Sequence, residues 1–353
     1  PLWITAIIVA EFPWIFLFIS GALLAWGLVP QKFQFTGNVL ALISFLLFLS
    51  PAIRAYSISQ DLYRDLEKNL GVNPFVPIEG VKPFSFLKMI TGVANKVAYQ
   101  SMIYARKDTS NLSLDFYPSQ IKGIKPCIIV VHGGSWAGGD NKQLPELNSE
   151  LAAQGYHVAS INYRLAPANK NPAPVEDIQS ALDYLRDQSA ALQIDTTKFV
   201  LLGRSAGGQI ALLAAYSLHD PGIKAVISFY GPADMVWGYS LPSNPLIMNS
   251  RKVMEDYLGG TYQQVPENYV NSSAVNSVTG QTVPTLLIHG QNDVLVAYEH
   301  SIRLNKKLNE FGIPHYLLTL PWATHGCDYT LNGPSGQLTT YSVEYFLRRV
   351  VGK

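Results

Sequence analysis

The feature that most constrains the fold is a series of short, mainly apolar runs separated by stretches with helical spacing. The runs are CIIVV (127–131), HVASI (157–161), FVLL (199–202), AVISF (225–229), TLLIH (285–289) and YLLTL (316–320). Stretches between them, such as VEDIQSALDYLRDQSAAL, place apolar residues at the spacing of one helix face. Strands that are apolar on both sides and alternate with helices are typical of a mostly parallel sheet covered on both faces. The sequence therefore predicts an α/β fold.

Two segments modify this simple pattern. VAYQSMIYA and LSLDFYPS flank the turn-like RKDTSN, and this arrangement predicts an antiparallel hairpin before the parallel strands. Residues 234–282 are rich in Pro, Asn and Ser around one predicted helix, and follow a strand at the sheet end where active sites form. We predict a catalytic domain over residues 96–353, with 234–282 as a cap or specificity insertion.

The N-terminal region is far more apolar than the rest. Glu11 is the only charged residue between Leu2 and Val29, and none occurs between Gly37 and Ile53. The first stretch exceeds the roughly 20 residues needed to span a bilayer, and the second reaches the lower limit of about 17. A signal peptide is the alternative, but its apolar region is typically only about 7–15 residues long. We predict two transmembrane helices over residues 1–54, joined by the turn PQKFQFTGN, with Glu11 facing the partner helix or an interface.

A Pro- and Gly-containing linker over residues 55–95, including NPFVPIEGVKP, is expected to follow these helices. Three basic residues after the second span outnumber Lys32 in the turn, which favours a cytoplasmic catalytic domain; they are Arg54, Arg64 and Lys68. The formal net charge of +1 gives no indication of nucleic-acid binding. Two cysteines, Cys127 and Cys327, form neither a disulfide framework nor a zinc pattern.

Ser205 is the first candidate for chemistry. It lies in GRSAG, after the strand-like FVLL and before the helix-like GQIALLAAYSL, which is the context of a G-x-S-x-G nucleophile turn. The Ala206 N–H, at the helix start, is then expected to face the oxyanion of a reacting carbonyl. A glycine-rich turn carrying a solvated serine is the alternative. Arg204 either pairs with a carboxylate of a neighbouring loop or is exposed.

The loop HGGSW, residues 132–136, follows the strand CIIVV directly. A glycine-rich loop at this place can offer backbone N–H groups to an oxyanion, and Gly134 and Ser135 are the predicted donors. Gly133 permits the turn, and His132 is expected to order the loop instead of acting as a base. The alternative is an ordinary strand-to-helix loop without a catalytic role.

An acid and a base follow the last two strands. Asp293 comes after TLLIH and His325 after YLLTL, which completes the chain order Ser, acid, His that this fold requires. A serine needs such a base because its free hydroxyl is a poor nucleophile, and the acid fixes the tautomer of the histidine. Three nearby groups are given lesser roles: Glu299 is the reserve acid, His289 is structural, and Asp328 belongs to local structure.

From about residue 95 to its end, the chain resembles an α/β-hydrolase of the esterase and lipase type. The stretches that carry the resemblance are HGGSW, YRLAP, PAPVEDIQSALDYL, GRSAGGQIA, HGQNDVLV and PWATHGCD. The likeness is to hormone-sensitive-lipase-like esterases and to the related feruloyl-esterase-like (BD-FAE-type) and kynurenine-formamidase-like group. Ser135 and Trp136 depart from the lipase-like pattern and favour the feruloyl-esterase-like branch. The resemblance implies Ser205 as nucleophile, Asp293 as acid and His325 as base.

The sequence thus predicts a membrane-anchored serine hydrolase that cleaves small-molecule or lipid-like carboxylic esters, with no metal or organic cofactor. An amidase, formamidase or serine peptidase on the same fold is the alternative, because the triad does not distinguish esters from amides. A non-catalytic binding module is the third reading, but such a module is expected to lack a triad residue. Aromatic residues near the site are predicted to line the substrate pocket: Trp136, Trp237 and Tyr239.

Overall fold

A computed structural model describes residues 2–27, 34–71, 82–107 and 110–352. Within this part of the chain, eight strands form one sheet in the order β1-β2-β4-β3-β5-β6-β7-β8. The strands are β1 Gln100–Lys107, β2 Ser110–Tyr117, β3 Lys125–Val131, β4 His157–Ile161, β5 Ile194–Arg204, β6 Ile223–Phe229, β7 Thr285–Gly290 and β8 His315–Leu320. Strands β3 to β8 pair in parallel, while β2 pairs antiparallel with β1 and β4. The predicted mostly parallel sheet and hairpin are confirmed; two turn residues, 108 and 109, lie outside the described residues.

Helices cover both faces of the sheet. They are α1 Leu2–Glu11, α2 Pro13–Trp26, α3 Gln34–Leu70, α4 Phe86–Thr91, α5 Pro145–Ala153, α6 Ala173–Asp187, α7 Ser189–Leu192, α8 Ala206–Ser217, α9 Met235–Ser240, α10 Ser250–Leu258, α11 Pro266–Asn271, α12 Glu299–Glu310 and α13 Pro334–Val350, with a 3₁₀ turn at Ala274–Ser277.

Alternate residues of each central strand enter different cores, as the two-sided burial predicts. In β3, Ile129 belongs to a cluster with α6, α8 and α12, whereas Ile128 belongs to one with α3, α5 and α13. The predicted apolar stripe of α6 is also buried as expected; its members are Val175, Ile178, Leu182 and Leu185. The sheet is therefore a middle layer, and its carboxyl edge is left free to carry loops.

The first predicted membrane span is not one helix. Helices α1 and α2 meet at Phe12 with a bend of 77°. Pro13 begins α2, where its missing N–H costs nothing, but it cannot continue the hydrogen bonding of α1. The Glu11 carboxyl group instead accepts the N–H groups of Ser335 and Gly336 at the start of α13. The prediction of two transmembrane helices is therefore supported only in part: among the described residues α3 alone is long and apolar enough to span a membrane without a break, and a second span requires counting the bent pair α1 and α2 as one.

Helix α3 is longer than the second predicted span. It begins at Gln34, inside the predicted turn, and continues unbroken to Leu70, through the first sixteen positions of the predicted linker. Its second half is helical because apolar residues recur on one face and are buried against the catalytic domain: Ala55, Leu62, Leu66 and Leu70. Residues 30–33 of the predicted turn and 72–81 of the predicted linker lie outside the described residues.

Residues 234–282 contain more structure than the single predicted helix. The helices α9, α10 and α11 and the 3₁₀ turn all fall in this segment, which follows the carboxyl end of β6. Side chains cap two of them: Asp234 accepts the Trp237 N–H, and Asn249 accepts the Lys252 N–H. The segment is thus an ordered insertion at the sheet edge where the candidate residues lie.

Candidate active site

Ser205 occupies a sharp turn between β5 and α8. Its φ of +53° is a left-handed value that non-glycine residues rarely adopt. The glycines on either side are sterically required: a Cβ on Gly203 would lie 2.1 Å from the Gly207 carbonyl oxygen, and one on Gly207 would lie 2.2 Å from the Val131 carbonyl oxygen. The backbone therefore holds Ser205 in a strained conformation, which is a recurrent feature of functional sites.

The structure brings Ser205, His325 and Asp293 together in one line. The Ser205 Oγ lies 3.0 Å from the Nε2 atom of His325, whose Nδ1 atom lies 2.7 Å from the Oδ2 atom of Asp293. A carboxylate accepts only, so Nδ1 carries the proton and Nε2 is free to accept from the Ser205 hydroxyl. Three residues spread over 120 positions of the chain thus form a nucleophile, base and acid at hydrogen-bonding distances.

Asp293 is buried but well compensated. Its Oδ1 atom accepts the N–H groups of Leu295 and Val296, both at 2.9 Å. Its Oδ2 atom lies 3.2 Å from Nε2 of His289, in addition to its contact with His325. Burial by itself would raise the pKa of Asp293, but the electrostatic interaction with His325 and hydrogen bonds from both histidines outweigh burial and lower that pKa. Asp293 is therefore held as the carboxylate.

Two histidines near the site have structural partners, as expected. His289 is held by Ser301 on Nδ1, at 2.7 Å, and by the Val296 carbonyl on Nε2, at 3.0 Å. His132 contacts the Gly133 carbonyl through Nδ1 and stacks on the Tyr163 ring at 4.3 Å. Burial lowers the pKa of His132, which keeps it neutral. The reserve acid Glu299 begins α12, while Asp293 occupies the place beside His325.

The HGGSW loop lies beside Ser205 in a tightly folded form. Gly134 has φ +129°, and a Cβ there would lie 2.1 Å from the Gly138 carbonyl oxygen. The Gly133 N–H is already used by the Gln143 side chain at 2.7 Å. Gly134 and Ser135 line the cavity at Ser205 together with Ala206 of the α8 start. The three residues predicted as oxyanion donors thus border the same cavity as the nucleophile.

A cavity of about 640 Å³ opens at Ser205. This is within the range of sites that hold drug-sized ligands. The insertion supplies much of its apolar wall, which sequence reasoning assigned to other residues: Leu241, Met248, Val253 and Met254. Helix α1 supplies two more residues, Trp3 and Ile7, which were predicted to lie in a membrane.

Of the three predicted pocket aromatics, only Trp136 lines this cavity. Its ring stacks on Tyr257 at 4.6 Å, and its Nε1–H donates to Gln209. The prediction was wrong for Trp237 and Tyr239 because their helix turns them elsewhere. Trp237 packs edge-on against His300, and the Tyr239 hydroxyl donates to Glu255.

A second buried cluster adjoins the triad, and in it Arg204 pairs with a carboxylate of a neighbouring loop, the first of the two alternatives given for it. The Arg204 Nε atom lies 2.5 Å from the Oδ2 atom of Asp328, and the Tyr230 hydroxyl lies 2.5 Å from Oδ1. The Tyr230 ring is 4.4 Å from the His325 ring. Asp328 was predicted to serve local structure, but its partners are 98 and 124 positions away. This cluster supports the loop that carries His325.

Comparison with known proteins decides the family. The BD-FAE family model matches residues 114–308, which is more than half of the chain. The chain belongs to the BD-FAE family. Solved structures similar to this BD-FAE protein include a bacterial heroin esterase, with a TM-score of 0.63, 21% identity, and coverage of 72% of this chain and 84% of that one. Esterase B from Lactobacillus Rhamnosis has a TM-score of 0.62 at 22% identity, covering 72% and 86%. Both likenesses support the α/β-hydrolase fold.

Curated relatives of this BD-FAE protein are named esterases. Esterase LipC from Mycobacterium tuberculosis is 29% identical over 242 residues, which cover 64% of this chain and 58% of LipC. The probable carboxylic ester hydrolase LipM from the same organism is 26% identical over 245 residues, covering 65% and 56%. The match thus spans somewhat more than half the length of these relatives.

Proposed function

We propose that this BD-FAE protein is a membrane-anchored serine hydrolase that cleaves carboxylic esters through an acyl-enzyme on Ser205. The observation that carries this proposal is the line of hydrogen-bonding contacts from Ser205 through His325 to Asp293, at 3.0 and 2.7 Å. The line opens onto an apolar cavity beside a glycine-rich loop. The names of the curated relatives favour an ester over an amide as the substrate.

The reaction follows from the roles of these groups. His325 Nε2 takes the hydroxyl proton as Ser205 Oγ attacks the ester carbonyl carbon, and Asp293 stabilises the imidazolium that forms. The N–H groups of Gly134, Ser135 and Ala206 are proposed to bind the oxyanion of the tetrahedral intermediate. His325 then gives the proton to the leaving alcohol, and the acyl group remains on Ser205. A water molecule, deprotonated by the same histidine, then attacks the acyl carbon. As the bond from that carbon to Ser205 Oγ breaks, His325 returns the proton to Oγ and the acid is released.

The nucleophile is tested by Ser205→Ala. We expect this variant to lose nearly all turnover of p-nitrophenyl butyrate and all covalent labelling by a fluorophosphonate, with an unchanged melting temperature. Ser217→Ala is the matched control because Ser217 is an exposed serine on the adjoining α8, where alanine is well tolerated. Turnover that survives in Ser205→Ala would refute the assignment. Butyryl p-nitroanilide, tested in parallel, separates esterase from amidase activity.

The membrane anchor is proposed to be α3. Its 37 residues include a window of mean hydropathy 1.9, of which 22% is buried. Large apolar side chains in the N-terminal half of α3 are exposed, and a contiguous apolar surface marks a contact with a partner or with lipid. Leu40 and Leu47 are 60% and 65% exposed.

Alkaline carbonate extraction of cell membranes tests the anchor. We expect the full chain to stay in the pellet, and the double variant Leu40→Asp, Leu47→Asp to be released, because each acidic residue at mid-span costs roughly 2.5–3.5 kcal/mol. Asp substitutions at two exposed apolar residues of the catalytic domain, Leu246 and Ile302, provide the control. Release of the unmodified chain by carbonate would contradict a membrane-spanning α3.

A further inference from the structure

Helix α1 contributes directly to the cavity at Ser205. Trp3 and Ile7 are four residues apart, so they lie on one face of the helix, and both line the cavity. Ile7 is only 4% exposed. Its Cδ1 atom lies 3.0 Å from the place that a Cβ on Gly326 would take. Since Gly326 directly follows His325, α1 borders the His325 side of the cavity.

The position of His325 identifies the half of an ester that would meet α1. The leaving alcohol receives its proton from His325 Nε2, so its oxygen must come within hydrogen-bonding distance of that atom. The HGGSW loop, proposed above to bind the oxyanion, borders a different part of the cavity, where Ser135 Oγ lies 3.6 Å from the Met248 sulfur. The group attached to the leaving oxygen therefore extends along the wall formed by Ile7 and Trp3.

This wall suits an apolar group. Among the described residues that line the cavity, the charged ones are Arg204 and Asp293. Arg204 is paired with Asp328, and Asp293 is paired with His325. The terminal nitrogens of Arg204 have no partner among the described residues, but the residue is 1% exposed, and the Asp293 side chain is 0% exposed. An ionised group on a substrate therefore reaches neither charge, and a charged alcohol part would lose its hydration without compensation.

We propose, on the basis of the function proposed above, that α1 binds the alcohol part of the substrate and that the enzyme prefers esters of apolar alcohols. Trp3 and Ile7 are the specificity-determining residues. Helix α1 continues through Phe12 into α2, which packs on α3 with the Phe16 and Phe48 rings 5.0 Å apart. The alcohol side of the cavity is thus the side joined to the apolar N-terminal helices.

Glu11 holds α1 in this place. The residue is 2% exposed, and its Oε2 atom lies 3.1 Å from the Ser335 nitrogen and 3.4 Å from the Gly336 nitrogen. These N–H groups lie at the start of the 17-residue helix α13, where an acceptor is favoured. Glu11 does not line the cavity and is a positioning residue, because it fixes Ile7 and Trp3 from one turn further along α1.

Two ester series measured with the full chain test the proposal. One varies the alcohol, from ethyl to octyl acetate, and the other varies the acid, from ethyl acetate to ethyl octanoate. We expect kcat/KM to rise with alcohol length in the wild type. Ile7→Ala should lower kcat/KM for octyl acetate on the order of tenfold, as expected for lost methyl and methylene contacts, and change ethyl octanoate less than twofold. Ile4→Ala is the matched control, since Ile4 is 40% exposed on the same helix.

Glu11 variants provide a second test that leaves the cavity lining intact. Glu11→Ala should lower kcat/KM for octyl acetate selectively, as Ile7→Ala does. Glu11→Gln should keep kcat/KM for octyl acetate near the wild-type value, because the amide oxygen still accepts from α13. Equal losses in both series, or a loss confined to ethyl octanoate, would overturn the assignment of α1 to the alcohol part while Ser205 still turns over. A wild-type chain that hydrolyses neither series and is not labelled at Ser205 would overturn the proposed function itself, and this inference with it.

Discussion

The pair formed by Arg204 and Asp328 makes a quantitative prediction. Arg204 is 1% exposed, and its side chain contacts the Asp328 carboxylate at 2.5 Å and the face of Phe229 at 5.5 Å. Its two terminal nitrogens have no hydrogen-bond partner among the described residues. Asp328→Ala therefore leaves a buried guanidinium without the carboxylate that it contacts.

The loss of unfolding free energy in Asp328→Ala follows from the burial of both charges. Removing one partner of a buried ion pair typically destabilises a protein by about 3–5 kcal/mol, and among the described residues Arg204 has no other hydrogen-bond acceptor to replace Asp328. The entropy of unfolding is about 2.1 cal/mol/K per residue, or roughly 0.5 kcal/mol/K for a domain of about 250 residues. Dividing the two gives a fall in melting temperature of about 6–10 °C.

Thermal unfolding of the detergent-solubilised full chain, followed by tryptophan fluorescence, measures this fall. Glu310→Ala is the control: Glu310 lies 3.4 Å from Lys307 in a pair that is 38% and 47% exposed. Such a pair contributes about 0–1 kcal/mol, so its loss should shift the melting temperature by at most about 2 °C. The double variant Arg204→Met, Asp328→Leu should recover most of the loss because it removes both charges.

A shift within 2 °C for Asp328→Ala would refute this reasoning. A double variant as unstable as the single one would also refute it, because the loss would then come from packing and not from an unpaired charge.

Asp293→Asn should lower kcat on the order of 10⁴-fold with the fold retained, as expected when the base is held in the wrong tautomer, whereas Glu299→Gln should stay near wild type in steady-state assays. The pKa of Asp293 is lower in the folded chain than its ordinary value, so its contribution to stability is full above about pH 4 and is lost as the pH falls further. Melting temperatures measured from pH 7 to pH 3 should therefore fall less steeply for Asp293→Asn. Gly134→Ala should lower kcat on the order of 10²–10³-fold because the new Cβ displaces the oxyanion loop, while Gly280→Ala, in open space, should not.

Each of these expectations has a contrary outcome. Equal losses of kcat in Asp293→Asn and Glu299→Gln would leave the acid unassigned. If melting temperature fell equally with pH in the wild type and in Asp293→Asn, the charge of Asp293 would not contribute to the stability of the fold. A wild-type kcat in Gly134→Ala would show that the HGGSW loop takes no part in catalysis.

The sheet and the alignment of the triad were predictable because local patterns determine them. Buried parallel strands are apolar on both faces, and their carboxyl ends share one edge of the sheet. Residues that directly follow β5, β7 and β8 must therefore lie near one another, whatever the intervening chain does. Ser205, Asp293 and His325 satisfy that rule, and the structure places them in contact.

The course of the N-terminal region was not predictable from hydropathy alone. Glu11 and Pro13 interrupt the apolar run, but the N–H groups that bond to the Glu11 carboxyl group are more than 320 positions away. The same reason applies to Asp328, whose partners come from other strand ends. Contacts between distant residues leave no periodic signal in the sequence.

The cavity wall was mispredicted for a related reason. Trp237 was chosen because aromatic residues suit an apolar pocket, yet composition does not indicate which way a six-residue helix turns its side chains. The smaller residues Met248 and Val253 line the cavity instead.

The unbroken course of α3 has a mechanical consequence. The same helix that exposes Leu47 buries Leu62 and Leu66 in the domain core. No loop or glycine lies between them, although Pro51 does, and its missing N–H removes one hydrogen bond within the helix. At about 1.5 Å per residue, its 37 residues correspond to about 55 Å of helix. If the apolar half lies in a bilayer, the catalytic domain is held at one tilt and one height above the lipid and cannot sweep around a flexible tether. The opening of the active site would then lie at the same height relative to the membrane surface in every molecule. Only substrates present in that layer would be able to enter it.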